Sequence, residues 1–122
     1  MLRVALLALA LSACASPQGP ALNGTSWAMV GETPAPTVAF EDGRASGSTG
    51  CNRWSADATP QGAGVRIGMT AVTEMACPGP AMDTEARFLS ILQATSVVEV
   101  RDDALVFVGA NAEELARFAP TP

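Results

Sequence analysis

Histidine and lysine are missing altogether from this chain of 122 residues, and all seven of its basic residues are arginines. Without histidine there is no side chain whose ordinary pKa suits acid–base work near neutrality, and the commonest ligand of zinc, copper and haem is gone. Without lysine a Ser–Lys dyad is excluded, so a serine nucleophile has neither of its usual bases. The twelve carboxylates are dispersed. Their tight pairs, Glu41-Asp42, Asp102-Asp103 and Glu113-Glu114, read as solvated turns or strand ends, and none has the spacing of a calcium loop. Gly47–Cys51 is rich in small residues but lacks the Lys-Ser/Thr finish of a phosphate loop and does not open a helix. The expectation is a protein that is not an enzyme and holds neither metal nor other cofactor. A net charge of −5 without basic clusters also argues against a nucleic-acid partner, since phosphate backbones would repel it.

Long hydrophobic runs are scarce too; the one unbroken stretch is Val4–Leu11, preceded by Arg3. It has the basic start and short apolar centre of a secretory signal. It is far too short to be a spanning helix, which needs about 20 apolar residues. The residues that follow, Leu11-Ser12-Ala13-Cys14, resemble the lipobox of bacterial lipoproteins. That resemblance implies cleavage before Cys14, diacylglycerol on its sulfur and acylation of the new amine. Two or more acyl chains anchor a protein stably, because each buried CH₂ adds about 0.8 kcal/mol. Residues 1–13 are thus expected to be signal peptide and residues 14–22 a lipidated tether of small residues, Pro and Gly. Ala15 stands where an Asp would favour retention in the inner membrane. By resemblance to enterobacterial sorting, the expected destination is the outer membrane, with the domain facing the periplasm. Six arginines against twelve carboxylates in the mature part leave it at −6, so the lipid and not the protein surface must hold the membrane.

Cysteine is rare, at three residues. With Cys14 committed to lipid, Cys51 and Cys77 remain as an even pair in an oxidising compartment. One disulfide closing a loop of about 25 residues is expected, stabilising by ~3–4 kcal/mol. A redox couple or a metal pair are the alternatives, although there is no C-x-x-C spacing.

The remaining pattern is that of one small domain over residues 23–120. Trp27 and Met29 alternate in Thr25–Val30, and Val38 and Phe40 alternate in Thr37–Glu41. Asp42-Gly43 signals a hairpin into Arg44–Gly47. Gly47 and Gly50 mark a bend requiring positive φ or close packing. Strands are expected at Trp54–Ala56 and Val65–Gly68, with a turn at Thr59–Gly64 between them; Thr70–Cys77 is strand or irregular. One helix runs from Asp83 or Thr84 to about Ala94, with Asp83 as its N-cap and Phe88, Leu89 and Leu92 on its buried face. Val97–Val100 and Leu105–Val108 form a hairpin around Asp102-Asp103, and Leu115–Phe118 ends the domain. The expected fold class is α+β: seven to eight short antiparallel strands, strongly curled or barrel-like, packed on one α-helix.

Gly50-Cys51-Asn52-Arg53, Ala76-Cys77-Pro78, Glu85, Phe88-Leu89, the opening Asn23-Gly24-Thr25-Ser26-Trp27 and the closing Arg117-Phe118 occur in order. The set resembles the META domain, the family of HslJ-like envelope lipoproteins, over nearly the whole mature chain. The sequence departs from the family pattern at Trp54 and at Thr73-Glu74-Met75, where a basic residue is common in the middle. The resemblance implies a compact α+β domain and an association with envelope stress and antibiotic tolerance, with no catalytic residues to carry over. Asn52, Arg53 and Glu85 form the candidate patch. In the structural reading Asn52 caps the bend beside the disulfide and Arg53 pairs with a carboxylate such as Glu85; in the functional reading they recognise a partner. The expected partner is an unknown envelope protein, met by a monomer. A protease-inhibitor-like or small-molecule-binding module is the alternative.

Overall fold

The computed structural model describes residues 22–122. The signal peptide, Cys14 and all of the tether before Leu22 lie outside the described residues. The chain forms β1 (Ser26–Met29), β2 (Thr37–Glu41), β3 (Arg44–Ser48), β4 (Arg53–Gln61), β5 (Gly64–Ile67), β6 (Ala71–Val72), α1 (Pro80–Ala94), β7 (Thr95–Arg101), β8 (Ala104–Gly109) and β9 (Glu114–Pro120). Neighbouring strands run in the order β3-β2-β1-β9-β8-β7-β5-β4, and β3 pairs again with β4, so eight antiparallel strands close into a barrel. The two-residue β6 hangs on β4 as a ninth strand with one free edge. The fold is therefore α+β with a barrel-like sheet, as the pattern of short strands implied.

Two hairpins are fixed by turn chemistry. Asp42 and Gly43 both take positive φ, at 50° and 76°, and so do Asp102 and Asp103, at 49° and 61°. Paired positive φ values match the right-handed twist of the flanking strands. The bend between β3 and β4 uses its two glycines differently. A Cβ on Gly47 would stand 2.1 Å from the Thr37 carbonyl oxygen, whereas Gly50 takes a φ of 101°.

The barrel is filled from inside by alternating strand residues and by one face of the helix. Trp27, Val38, Phe40, Trp54, Ala56, Val98, Leu105, Phe107 and Phe118 join Phe88 and Leu92 in a single core cluster. Phe88 is fully buried, with ring centroids 5.5 Å from Trp54, 6.5 Å from Phe107 and 6.3 Å from Phe118. The helix thus plugs the barrel, and its Phe88 organises the aromatic centre.

Two boundaries differ from the sequence expectation. The helix begins at Pro80, not at Asp83, and its N-cap is Gly79 with no side-chain cap. Proline suits the first helical position because its fixed φ is already helical and its missing N–H would have had no partner. Asp83 lies instead in the first turn, at the positive end of the helix dipole. β4 runs on through Pro60 where a turn was expected. The Ala58 N–H donates to the Gly43 carbonyl. Two residues further, the Pro60 nitrogen faces the same edge, beyond the start of β3, where no acceptor waits.

Candidate functional site

The bend Ser48–Asn52 joins β3 to β4, and the chain that follows β6 passes beside it. Cys51 and Cys77 are bonded there, with Cα atoms 5.8 Å apart. The Thr49 hydroxyl accepts the amide of Asn52 at 2.7 Å and that of Cys51 at 3.2 Å, a local side-chain turn that shapes the bend. It donates to Glu85 Oε1 at 2.7 Å.

Asn52 is the keystone. Its side chain is buried and makes four hydrogen bonds to nitrogen and oxygen partners, beside a long contact from Nδ2 to Cys51 Sγ at 3.5 Å. Oδ1 accepts the Met75 N–H at 2.7 Å and the Thr73 hydroxyl at 2.9 Å. Nδ2 donates to the Met75 carbonyl at 3.0 Å and to Glu85 Oε1 at 2.8 Å. Both lone-pair directions and both amide protons are used, which is all a side-chain amide can offer. Toward Met75 the amide acts as one residue of a neighbouring strand would, extending the sheet by a side chain where β4 has no backbone left to give.

Glu85 projects from the helix and is only 7 % exposed. Its Oε1 is held by two neutral donors, Thr49 and Asn52. No described arginine pairs with it. No fully enclosed side-chain oxygen among the described residues lacks a partner, so Oε2 keeps an outlet. That outlet is a groove of about 420 Å³ between Val72–Ala76 and the helix face carrying Met82, Glu85 and Leu89, with Asn52 in its floor. Met75 is 58 % and Met82 38 % exposed, so the walls are largely thioether and aliphatic. The Met82 sulfur lies 3.6 Å from Cys51 Sγ, at the end of the groove marked by the disulfide.

The structure brings Asn52 and Glu85 together and leaves Arg53 out. The expected Arg53–Glu85 pair does not form. Successive strand residues point to opposite faces, so Arg53 at the start of β4 is turned away from the side that buries Asn52 and Trp54. Arg53 instead borders a second surface depression with Ser46, Ser55 and Ala71, which meets the groove only at Val72 and Thr73. Thr49, Thr73, Met75, Met82 and Leu89 belong to the site although the sequence reading did not place them there. One signal was available for Thr49: a threonine just before Gly-Cys in a bend is well placed to cap its own turn.

A second contact ties the helix to the barrel. Arg87 donates from Nε to Glu32 Oε1 at 3.0 Å and from Nη2 to Oε2 at 2.9 Å. These bonds hold the Glu32 carboxyl below its usual range; desolvation, the next largest effect, opposes them, and the guanidinium charge and a weaker bond from Thr84 add to the lowering.

A family model described as META domain matches residues 11–121. No curated protein matches the chain. Two solved structures resemble it. One is the NMR structure of a protein from Burkholderia xenovorans, 23% identical, with a TM-score of 0.63 over 82% of this chain and 83% of that one. The other, also an NMR structure, is 16% identical with a TM-score of 0.59 over 80% of this chain and 90% of that one. At these identities the likeness is one of fold.

Proposed function

Because the chain belongs to the META domain family, we propose that it is a non-enzymatic binding module of the bacterial envelope, held to the periplasmic side of the outer membrane by lipid on Cys14. The observation that carries this reading is the groove. Its polar floor is committed to internal hydrogen bonds: Glu85 Oε1 accepts from the Asn52 side-chain amide and from the buried Thr49 hydroxyl, and the Thr73 hydroxyl donates to Asn52 Oδ1. Groups so engaged serve a rigid surface better than they serve proton transfer. The methionine-rich walls offer an adaptable apolar contact of the kind used at binding surfaces. The role is that of an accessory protein on a tether, displaying a stapled barrel to a partner in the envelope. Envelope stress and antibiotic tolerance are the settings in which such a role is sought.

The test is in-cell crosslinking of the lipidated protein followed by mass spectrometry, with Cys14→Ser as the unanchored control. Capture of a defined partner by the anchored form supports the module; the intact mass of that form should show a chain beginning at Cys14 plus acyl groups. A start at Met1 without acylation removes the anchor from the proposal. The groove's volume also falls within the range of small-molecule sites. A ligand screen on the same protein separates that reading, which predicts a saturable low-molecular-weight binder and no crosslinked protein.

A further inference from the structure

One wall of the groove is an unfinished sheet edge. β6 pairs with β4 on one side only. The chain beyond it keeps strand register with the bend: the Thr73 N–H donates to the Arg53 carbonyl at 3.0 Å, and Met75 exchanges both backbone bonds with the Asn52 side chain. Residues two apart, Thr73 and Met75, thus spend their backbone groups on the β4 side. By the alternation of an extended chain, Val72 and Glu74 turn theirs the other way, where no described backbone group meets them.

The floor beside this edge is charged and uncompensated. Glu85 is more than nine-tenths buried with one oxygen open to the groove, Glu74 stands on the wall, and no arginine is among the lining residues. Arg44, Arg87, Arg101 and Arg117 are each engaged with a carboxylate elsewhere. A carboxylate withdrawn from water without a countercharge favours any occupant that supplies one. Around it Val72, Met75, Met82 and Leu89 favour apolar neighbours for that charge.

We infer that the groove takes an extended segment of another protein by strand addition to the Val72–Glu74 edge, with one Lys or Arg of that segment meeting the Glu85 carboxylate between apolar side chains. Main-chain bonds at such an edge supply affinity, and alternate side chains supply selectivity. The inference rests on the binding-module reading and names the class of partner that module would hold.

The experiment screens the full chain, purified in detergent micelles, against a library of capped heptapeptides with a fixed central arginine and randomised flanks. Binding is read by fluorescence anisotropy. The best binder is then remade with citrulline for arginine, and with N-methyl groups on alternate amides in each of the two frames. Citrulline should weaken binding about tenfold or more, the loss of one charge-assisted bond. One N-methyl frame should abolish binding and the other leave it. Glu85→Gln should weaken the arginine peptide as citrulline does in a protein that still folds, because a glutamine oxygen still accepts from Thr49 and Asn52. Equal binding of the citrulline peptide, tolerance of both N-methyl frames, or full affinity in Glu85→Gln each overturns the inference. An absence of any binder in the library overturns it as well. If crosslinking in cells nevertheless captures a partner at another face, only the groove assignment falls; if that too is empty, the module reading falls with it.

Discussion

Replacing Asn52 is the sharpest test of the site's construction. Asn52→Ala removes four hydrogen bonds to nitrogen and oxygen partners at once, one of them to the buried Glu85 carboxylate. The charge-assisted bond contributes roughly 1.5–3 kcal/mol and each neutral bond about 1 kcal/mol. Water entering through the groove recovers part of the loss at Thr73 and Met75, which are exposed. The expected cost is about 3–5 kcal/mol, a large share of the 5–15 kcal/mol that such a domain has in total. In a domain of this size that lowers the thermal midpoint by about 15 °C or more. The assay is urea and thermal denaturation followed by tryptophan fluorescence, since Trp27 and Trp54 are both buried in the core. Asn52→Asp sharpens the logic because it keeps the shape and the two accepted bonds. It deletes both donors and sets a second carboxylate against Glu85 Oε1, so it should destabilise at least as much as Asn52→Ala. Adding Glu85→Gln to Asn52→Asp should restore part of the loss. The glutamine can turn its amide toward the new carboxylate, and the Thr49 hydroxyl has a second acceptor in the Asn52 carbonyl at 3.2 Å. A cost below about 1 kcal/mol for Asn52→Ala, or an Asn52→Asp protein as stable as the parent, would refute the keystone argument.

Three further outcomes follow from the same structure. Cys51→Ser/Cys77→Ser opens a loop with a sequence separation of 26 and should cost about 3.5 kcal/mol by the chain-entropy relation, read as a lower urea midpoint; an unchanged midpoint would show that the hydrogen-bonded bend suffices without the staple. Phe88→Ala empties the aromatic centre of the barrel and should cost about 3–5 kcal/mol, with a red-shifted Trp54 emission as water approaches. Glu32 has its carboxyl held low by Arg87, so that contact's stabilisation is present above the ordinary carboxylate pKa and is lost as pH falls through the depressed one. The thermal midpoints of the parent and Arg87→Gln should therefore differ at neutral pH and converge as pH falls below the ordinary carboxylate range; a gap that persists there would deny the contact its ionic character.

The local features were legible because their causes are local. Val38 and Phe40 declare the inner face of β2 by alternation, Asp42-Gly43 declares its hairpin, and Phe88, Leu89 and Leu92 declare the helix face, with Phe88 fully buried. The helix start was not legible from propensity alone. Asp83 is the stronger cap by composition, but Pro80 initiates a turn earlier because it needs no N–H partner. The length of β4 was not legible either, where a turn was expected at Thr59–Gly64: only the position where β3 begins shows that the missing N–H of Pro60 faces an edge with nothing to bond. Barrel closure through β3 and β4 is a long-range fact that no local window carries.

The Asn52–Arg53 pair shows where a sequence reading of a site reaches its limit and what lies beyond. Both residues are polar, adjacent and next to Cys51, and on that basis they share a patch with Glu85. The backbone separates them, because one strand step reverses the side-chain direction. What joins Asn52 to Glu85 is the barrel's need to finish a sheet edge that β4 cannot reach. Asn52 is long enough to bond Met75 as a strand would and still hold a proton for the carboxylate. The same substitution of side chain for backbone leaves the far edge at Val72–Glu74 without a partner and leaves Glu85 half satisfied. The disulfide holds both sides of this arrangement in place, joining the bend that carries Asn52 to the segment that carries Met75. Between β5 and β6 the chain extrudes Met69 to 96 % exposure and resumes pairing at Ala71, along the same side of β4 that β5 occupies. The edge and the carboxylate thus lie open together, on facing walls of the groove between barrel and helix.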